Sequence, residues 1–387
     1  MSLSIHKDYI PFGKPNFSDE EIEAVSRVIR TGWIGMGPET HLFEKEISEY
    51  LTSSHFVSVD TCTSALFLSL LVNGIRPGDE VICPSMTWCS TANAALYLGA
   101  KPVFCDVDSE TISVTIDSVL EKITRKTKAV IVVHMGGLAV DVEALKRALP
   151  NGIALIEDAA HALGSKYPNG LAVGGADNLA CFSFYANKNL SSGEGGGIAL
   201  PDEDKAEHLK VLRLHGLPVN AWNRFSNPNG PLAAELTELG YKSNYTDLQA
   251  AIARVQLRRQ NEFKAIRDKI SSLYQKRLSQ IDAEIKIQSN VTHEYHSKHL
   301  FLIQTPAEKL NIGRDDFIRR LRSRNIGASI HYLPLHKMPL YKYEGFLPAT
   351  EQLNERLLTL PIGGAMTIGD AEYIMDHFQD VYKTCLR

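Results

Sequence analysis

From residue 56 onward, short and almost continuously apolar runs alternate with stretches whose apolar residues recur every three or four positions. The runs lie at 56–60, 80–84, 101–107, 128–135, 153–158 and 179–184, and the helical stretches at 64–73, 88–98, 115–123 and 140–148. Strands that are apolar at every position have both faces covered, so this rhythm predicts a parallel or mostly parallel sheet between layers of helices. Ahead of it, Ser18-Asp-Glu-Glu21 is a capping-box signature for a helix whose Ile22, Val25, Val28 and Ile29 form one apolar face. Gly32, Gly35 and Gly37 separate it from a second helix carrying Leu42, Phe43, Ile47 and Leu51. Residues 217–240, rich in Pro, Asn and Gly, read as a long excursion. A single long helix is expected over 246–274, then strands near 299–305 and 328–333 and helices near 314–324, 350–358 and 369–383. The predicted organisation is α/β: a large, mostly parallel-sheet domain over 1–250, then a linking helix and a smaller α+β domain over 251–387.

Composition narrows the function classes. The chain has 387 residues, 44% hydrophobic and 22% charged, the balance of a soluble globular protein. A formal charge of −4 gives no reason to expect nucleic acid, and the one tight basic cluster, Arg125-Lys-Thr-Lys128, reads as a solvated helix end. No apolar run is long enough to span a membrane and no signal-peptide core is seen, so the expected compartment is the cytoplasm. The six cysteines form no CxxC pair and read as reduced, mostly buried apolar residues. The thirteen histidines show no ligand spacing, and no metal is expected.

The candidate chemistry sits at strand ends. Lys188 lies between the apolar run 179–184 and a turn in which Gly193, Gly195, Gly196 and Gly197 surround Glu194. An ammonium at the end of a buried strand must be paired, or must lose its charge through a shifted pKa or covalent chemistry. Asp158 ends another apolar strand, and a carboxylate at that depth needs a cation. Acid and lysine at strand ends of one sheet is the way a pyridoxal phosphate (PLP) site is built. In open α/β sheets ligands bind at those carboxyl ends. Thr63 and Ser64 start a helix and offer hydroxyls and N–H groups to an anion, although helix capping explains them too. Trp88 could stack on a flat ring or belong to the core. His161 lies three residues after Asp158, and Ser183 five before Lys188.

Together these residues resemble one family, the DegT–StrS class of sugar-nucleotide aminotransferases, which are fold-type-I PLP enzymes. The resemblance runs through Thr31-Gly-Trp-Ile-Gly-Met-Gly-Pro, Cys83-Pro-Ser-Met-Thr-Trp-Cys-Ser-Thr-Ala-Asn93 and Leu98-Gly-Ala-Lys-Pro-Val-Phe104. It continues through Glu157-Asp-Ala-Ala-His161, Ser183-Phe-Tyr-Ala-Asn-Lys-Asn-Leu190, Gly240-Tyr-Lys-Ser-Asn-Tyr-Thr-Asp-Leu-Gln-Ala-Ala251 and Ser329-Ile-His-Tyr-Leu-Pro-Leu-His336. It implies that Lys188 bonds covalently to PLP, Asp158 keeps the ring nitrogen protonated, His161 meets the ring hydroxyl and Trp88 stacks on the ring. Thr63, Ser64 and Ser183 would bind the phosphate, joined by Asn244 from a neighbouring subunit in a homodimer with shared sites. Arg213, His331 and His336 are candidate substrate contacts. The implied reaction is ping-pong transamination of a nucleotide-linked 3- or 4-keto sugar, with glutamate as donor, in surface polysaccharide or secondary-metabolite biosynthesis. Cys62 stands where the family usually has Gly, and Tyr185 where His is common. The alternatives are a PLP-dependent sugar dehydratase on the same scaffold, which the presence of Lys188 and the unclustered cysteines oppose, and an inactive PLP-binding regulator.

Overall fold

The computed structural model describes residues 4–218, 235–291 and 293–387. Of the expected excursion, residues 219–234 lie outside them. Two N-terminal helices, α1 (Asp19–Thr31) and α2 (Pro38–Leu51), precede the alternating region. The Ser18 capping box forms, with Ser18 N–H donating to Glu21 Oε2 at 2.7 Å. The buried face of α1 differs from the one expected. Ala24 and Val28 pack against Ala251 and Val255, while Ile22 and Ile29 remain exposed.

Strands β1 (His55–Val59), β2 (Glu80–Pro84), β3 (Lys101–Cys105), β4 (Thr127–Val133), β5 (Ala154–Asp158), β6 (Leu179–Ser183) and β7 (Gly196–Leu200) form one sheet in the order β1-β7-β6-β5-β4-β2-β3. All strands but β7 run the same way, and β7 is antiparallel to both of its neighbours. Helices α3 (Cys62–Val72), α4 (Cys89–Tyr97), α5 (Ile116–Leu120), α6 (Val142–Ala148) and α7 (Glu203–Leu212) cover the sheet. Separate apolar clusters line its two faces: Val130, Val132, Ala180 and Phe182 point to one, Val57, Cys83, Ile131 and Cys181 to the other. This is the two-sided burial that the continuous apolar runs imply. The carboxyl ends of β1, β2, β4, β5 and β6 therefore share one edge, and β7 begins there, Gly196 pairing with both Val59 and Ser183.

Two expectations fail in the C-terminal region. The long helix is two helices, α8 (Asp247–Arg258) and α9 (Gln260–Ile281), broken at Arg259. The break falls where Gln256 and Arg259 reach across to Glu21 and to the Asn16 carbonyl. The second small sheet is β10-β9-β8, with β8 at Lys286–Ile287, β9 at Phe301–Gln304 and β10 at Leu357–Leu360. Residues 328–333 contribute only a bridge from Ser329 to Thr359. The strand lies instead at Leu357–Leu360, all four residues buried, so helix α11 (Pro348–Arg356) stops short of the expected end. Helices α10 (Arg314–Arg322) and α12 (Ile368–Thr384) complete the region, and Ile10 joins its core by bridging to Ile326. Among the described residues no helix is long and apolar enough to cross a membrane.

Candidate active site

At the shared strand edge lies a cavity of about 430 Å³ whose wall includes Asp158, His161, Ser183 and Lys188. Lys188 follows β6 in a turn closed by its own N–H donating to the Tyr185 carbonyl at 2.9 Å. The next residue is anchored from behind, because Gln260 Nε2 donates to the Asn189 carbonyl at 2.9 Å. Among the described residues no carboxylate lies within 4 Å of the Lys188 ammonium. Burial pushes its pKa down to about 8, against the opposing pull of Asp158 and Cys62.

Asp158 ends β5 at 6% exposure. Its Oδ2 accepts from Thr91 Oγ1 at 2.7 Å and its Oδ1 from the Ala160 N–H at 3.2 Å. Burial raises its pKa, while these donors, Lys188 and His134 pull the other way. Each oxygen keeps a lone pair, so the carboxylate can still receive a cationic N–H. His161 Nδ1 accepts from the Gly136 N–H at 3.4 Å, which puts the ring proton on Nε2, 3.0 Å from the Tyr332 hydroxyl. Burial, then Lys188, His299 and His331, hold His161 well below its ordinary pKa, so it is neutral at physiological pH. His331, on the same wall, is pushed down to about 3 by burial and Lys188.

Helix α3 points its N-terminus at this cavity, and Thr61, Cys62 and Thr63 line it. Thr61 caps the helix through the Ser64 N–H at 3.1 Å, so the first-turn N–H groups of Cys62 and Thr63 have no intrahelical acceptor. Strand β7 crosses close by. A Cβ on Gly196 would stand 2.5 Å from Cys62 N and from the Thr61 carbonyl carbon, so only glycine fits. The Trp88 ring is 59% exposed and lies 5.7 Å from that of Tyr332. Beyond these two aromatics a second cavity of about 540 Å³ opens, with Ile318, Ile330 and Met338 on its walls and Arg319 and Arg322 among its lining residues.

Among the sequence-predicted site residues, Thr63, Trp88, Asp158, His161, Ser183, Lys188 and His331 share the 430 Å³ cavity. Ser64 lies one residue behind it, with Thr61 on both its N–H and its hydroxyl. Asn244 is off the wall of its own chain's cavity. Its side chain donates to the Tyr245 carbonyl at 3.0 Å and accepts from Lys242. Two substrate candidates lie elsewhere. Arg213 is 2% exposed and bonded to Glu44, and His336 is fixed between Ser85 at 2.7 Å and Glu351 at 2.9 Å, so neither faces the cavity. The sequence reading passed over Thr87, Thr91 and Tyr332. Thr91 lies in the first turn of α4 and Thr87 just ahead of its N-cap Trp88, and the turn between them brings the two hydroxyls within 2.9 Å.

A buried carboxylate with free lone pairs, an unpaired lysine of lowered pKa and uncapped helix N–H groups fit PLP part by part: ring nitrogen, aldehyde and phosphate. Fold and cavity together define the class, a fold-type-I PLP enzyme. Comparison with known proteins gives the family. Residues 15–379 match the DegT/DnrJ/EryC1/StrS aminotransferase family. The spore coat polysaccharide biosynthesis protein SpsC of Bacillus subtilis is 37% identical over 384 residues, covering 97% of each chain. The aminotransferase TlmJ from Streptoalloteichus hindustanus superposes with a TM-score of 0.89 at 34% identity, covering 97% of this chain and 99% of that one. Spr1654 from Streptococcus pneumoniae, in its PMP form, does so with a TM-score of 0.89 at 30% identity over 97% and 99%. The chain belongs to the DegT/DnrJ/EryC1/StrS family, as a PLP-dependent sugar aminotransferase.

Proposed function

We propose that the enzyme moves the amino group of glutamate onto a nucleotide-linked keto sugar of the 3- or 4-keto-deoxyhexose type. The order is ping-pong, the donor leaving before the sugar arrives. The observation that carries this reading is the acid–amine pair facing one cavity, the buried Asp158 and the half-buried Lys188, with no ion pair between them. PLP, once bound, supplies the electron sink that lets a C–H bond beside nitrogen ionise. Lys188 carries the cofactor and, when its amine is free, takes and returns the proton at the substrate carbon. A pKa of about 8 leaves an appreciable neutral fraction near pH 7, which an ordinary lysine does not have. Asp158 would hold the ring nitrogen charged, neutral His161 would meet the ring hydroxyl, and Trp88 would cover the ring.

Thr63 and Ser183 would hold the phosphate together with the N-terminus of α3, with Ser64 behind them tied to Thr61. Asn244 completes that site from the second subunit of a homodimer. The absence of its side chain from the wall of its own chain's cavity supports this. The sugar enters beside His331, and the 540 Å³ cavity gives the nucleotide room to extend toward Arg319 and Arg322. In this reading residues 1–250 form the large domain and 251–387 the small one, the enzyme works in the cytoplasm, and its product supplies polysaccharide or secondary-metabolite amino sugars. The name of SpsC supports the polysaccharide role. The test is a mass-spectrometric screen of UDP-, GDP- and dTDP-linked keto sugars with glutamate. An amino sugar from at least one of them supports the reading, and glutamate consumption without any nucleotide-linked amine contradicts it.

A further inference from the structure

Asp158 does not stand alone at the end of β5. Thr91 Oγ1 is 2.7 Å from its Oδ2, and Thr87 Oγ1 is 2.9 Å from Thr91 Oγ1. Thr91 is fully buried and Thr87 is 1% exposed, so no solvent competes for these hydroxyls. A threonine hydroxyl has one proton to give. Thr91 must give its proton to the carboxylate, which can only accept, and can then only accept from Thr87. The chain therefore runs one way, from Thr87 through Thr91 to Asp158. Each donor polarises the next, which strengthens the bond that ends on the charge.

This arrangement does two things to the carboxylate. It fixes the carboxyl plane, with Thr91 on one oxygen and the Ala160 N–H on the other, so the remaining lone pairs keep a set direction. It also favours the ionised form against burial, a charge-assisted bond being roughly twice as strong as a neutral one. We propose that Thr91, oriented by Thr87, is the positioning residue that keeps Asp158 aimed and ionised for the PLP ring nitrogen. This rests on the reading of Asp158 as the ring-nitrogen carboxylate. The alternative is that the Thr91–Asp158 bond only satisfies a buried hydroxyl. The two differ in what the loss of the hydroxyl does to the cofactor.

Thr91→Val keeps the shape of the side chain and removes the donor, whereas Thr91→Ser keeps the donor. A hydrogen bond to a charged group shifts an equilibrium roughly tenfold to a hundredfold. Purified holoenzyme of Thr91→Val should lose PLP on dilution at a concentration at least tenfold higher than wild type. The acidic limb of its cofactor spectrum should move up by about one pH unit or more, because a carboxylate without its donor protonates more easily. The groups facing Asp158 that could also titrate are Lys188, His134, Cys62, Cys181 and Tyr332, and these are unchanged in the variant. Thr91→Ser should restore both readouts, and Thr87→Val should move them in the same direction by less. Wild-type retention and an unmoved limb in Thr91→Val overturn the proposal, as does Thr91→Ser behaving like Thr91→Val. If Thr91→Val does not fold, the proposal stands or falls on Thr87→Val, and an unmoved limb there overturns it. Asp158→Asn is measured alongside. If its spectrum is also unmoved, the reading of Asp158 fails. If only the threonine variants are silent, that reading survives and the positioning role does not.

Discussion

Arg213 and Lys188 are both cations set into this fold, and they have opposite surroundings. Arg213 is 2% exposed and its Nη1 meets Glu44 Oε1 at 2.5 Å and the Ser58 carbonyl at 2.6 Å. Glu44 in turn accepts the Ser58 N–H at 3.0 Å and its hydroxyl at 2.7 Å. Burial would raise Glu44, but Arg213 and these hydrogen bonds outweigh it and hold the carboxyl at about 2. Lys188 has a carboxylate in the same cavity and makes no ion pair with it, and its pKa falls to about 8. The first pair is closed on itself and serves the fold. The second leaves both members short of a partner, which is costly in an empty protein and useful once a ligand supplies the missing groups.

The largest expected effect is on the open pair. Lys188→Ala should lower turnover at least about a thousandfold, the scale of a lost general base, while circular dichroism stays native. Because it removes an unpaired, partly desolvated ammonium, the apo variant should melt no lower than wild-type apoenzyme. A clear drop in melting temperature would show that Lys188 is a structural partner like Arg213.

Glu44→Gln is the mirror experiment. It leaves Arg213 buried without its counter-charge and should cost about 3–5 kcal/mol in urea unfolding, with the cofactor spectrum unchanged. Glu44 is held at about 2 against an ordinary 4.5, so its contribution is complete above pH 4.5 and lost as pH falls through 2. The stability gap between wild type and variant should therefore close across that window. A gap that stays constant would mean the pair is not ionised.

A smaller effect is expected at the subunit boundary. Asn244→Ala should weaken PLP binding roughly tenfold to a hundredfold, the worth of one hydrogen bond to a charged group. Mixing it with Lys188→Ala under conditions of subunit exchange should restore activity, since one site of the mixed dimer has both residues. Confirmed exchange without recovery would place Asn244 with its own chain's cofactor or remove the dimer. The smallest change is in apoenzyme chemistry. Amine acylation of Lys188, followed by mass spectrometry, should titrate with a midpoint near 8, and a midpoint near the ordinary 10.5 would show that the site is wetter than the structure has it.

The sheet was legible because its strands are apolar on both faces, a pattern that few alternatives produce. The strand-end residues Asp158, His161, Ser183 and Lys188 came with it, since topology alone brings the carboxyl ends of parallel strands together. That Arg213 and His336 lie off the cavity was not legible, because a polar side chain in sequence carries no sign of the partner that holds it. Glu44 lies in a distant helix and Glu351 follows His336 only after a turn and a further helix start. The helix expected over 350–358 runs into the first two residues of the Leu357–Leu360 strand because helical periodicity continues from Pro348, and only burial on both faces decides for a strand. Thr91 was overlooked because a threonine on a helix is ordinary until a carboxylate from another strand is found 2.7 Å away.

The central claim is that the open pair is where PLP is held, with Lys188 as its covalent anchor. Reduction of the holoenzyme with sodium borohydride, followed by proteolysis and mass spectrometry, fixes the cofactor to whichever lysine carries it. The account predicts the phosphopyridoxyl group on the peptide containing Lys188 and on no other lysine. The same label on a different lysine of a fully active preparation would contradict it.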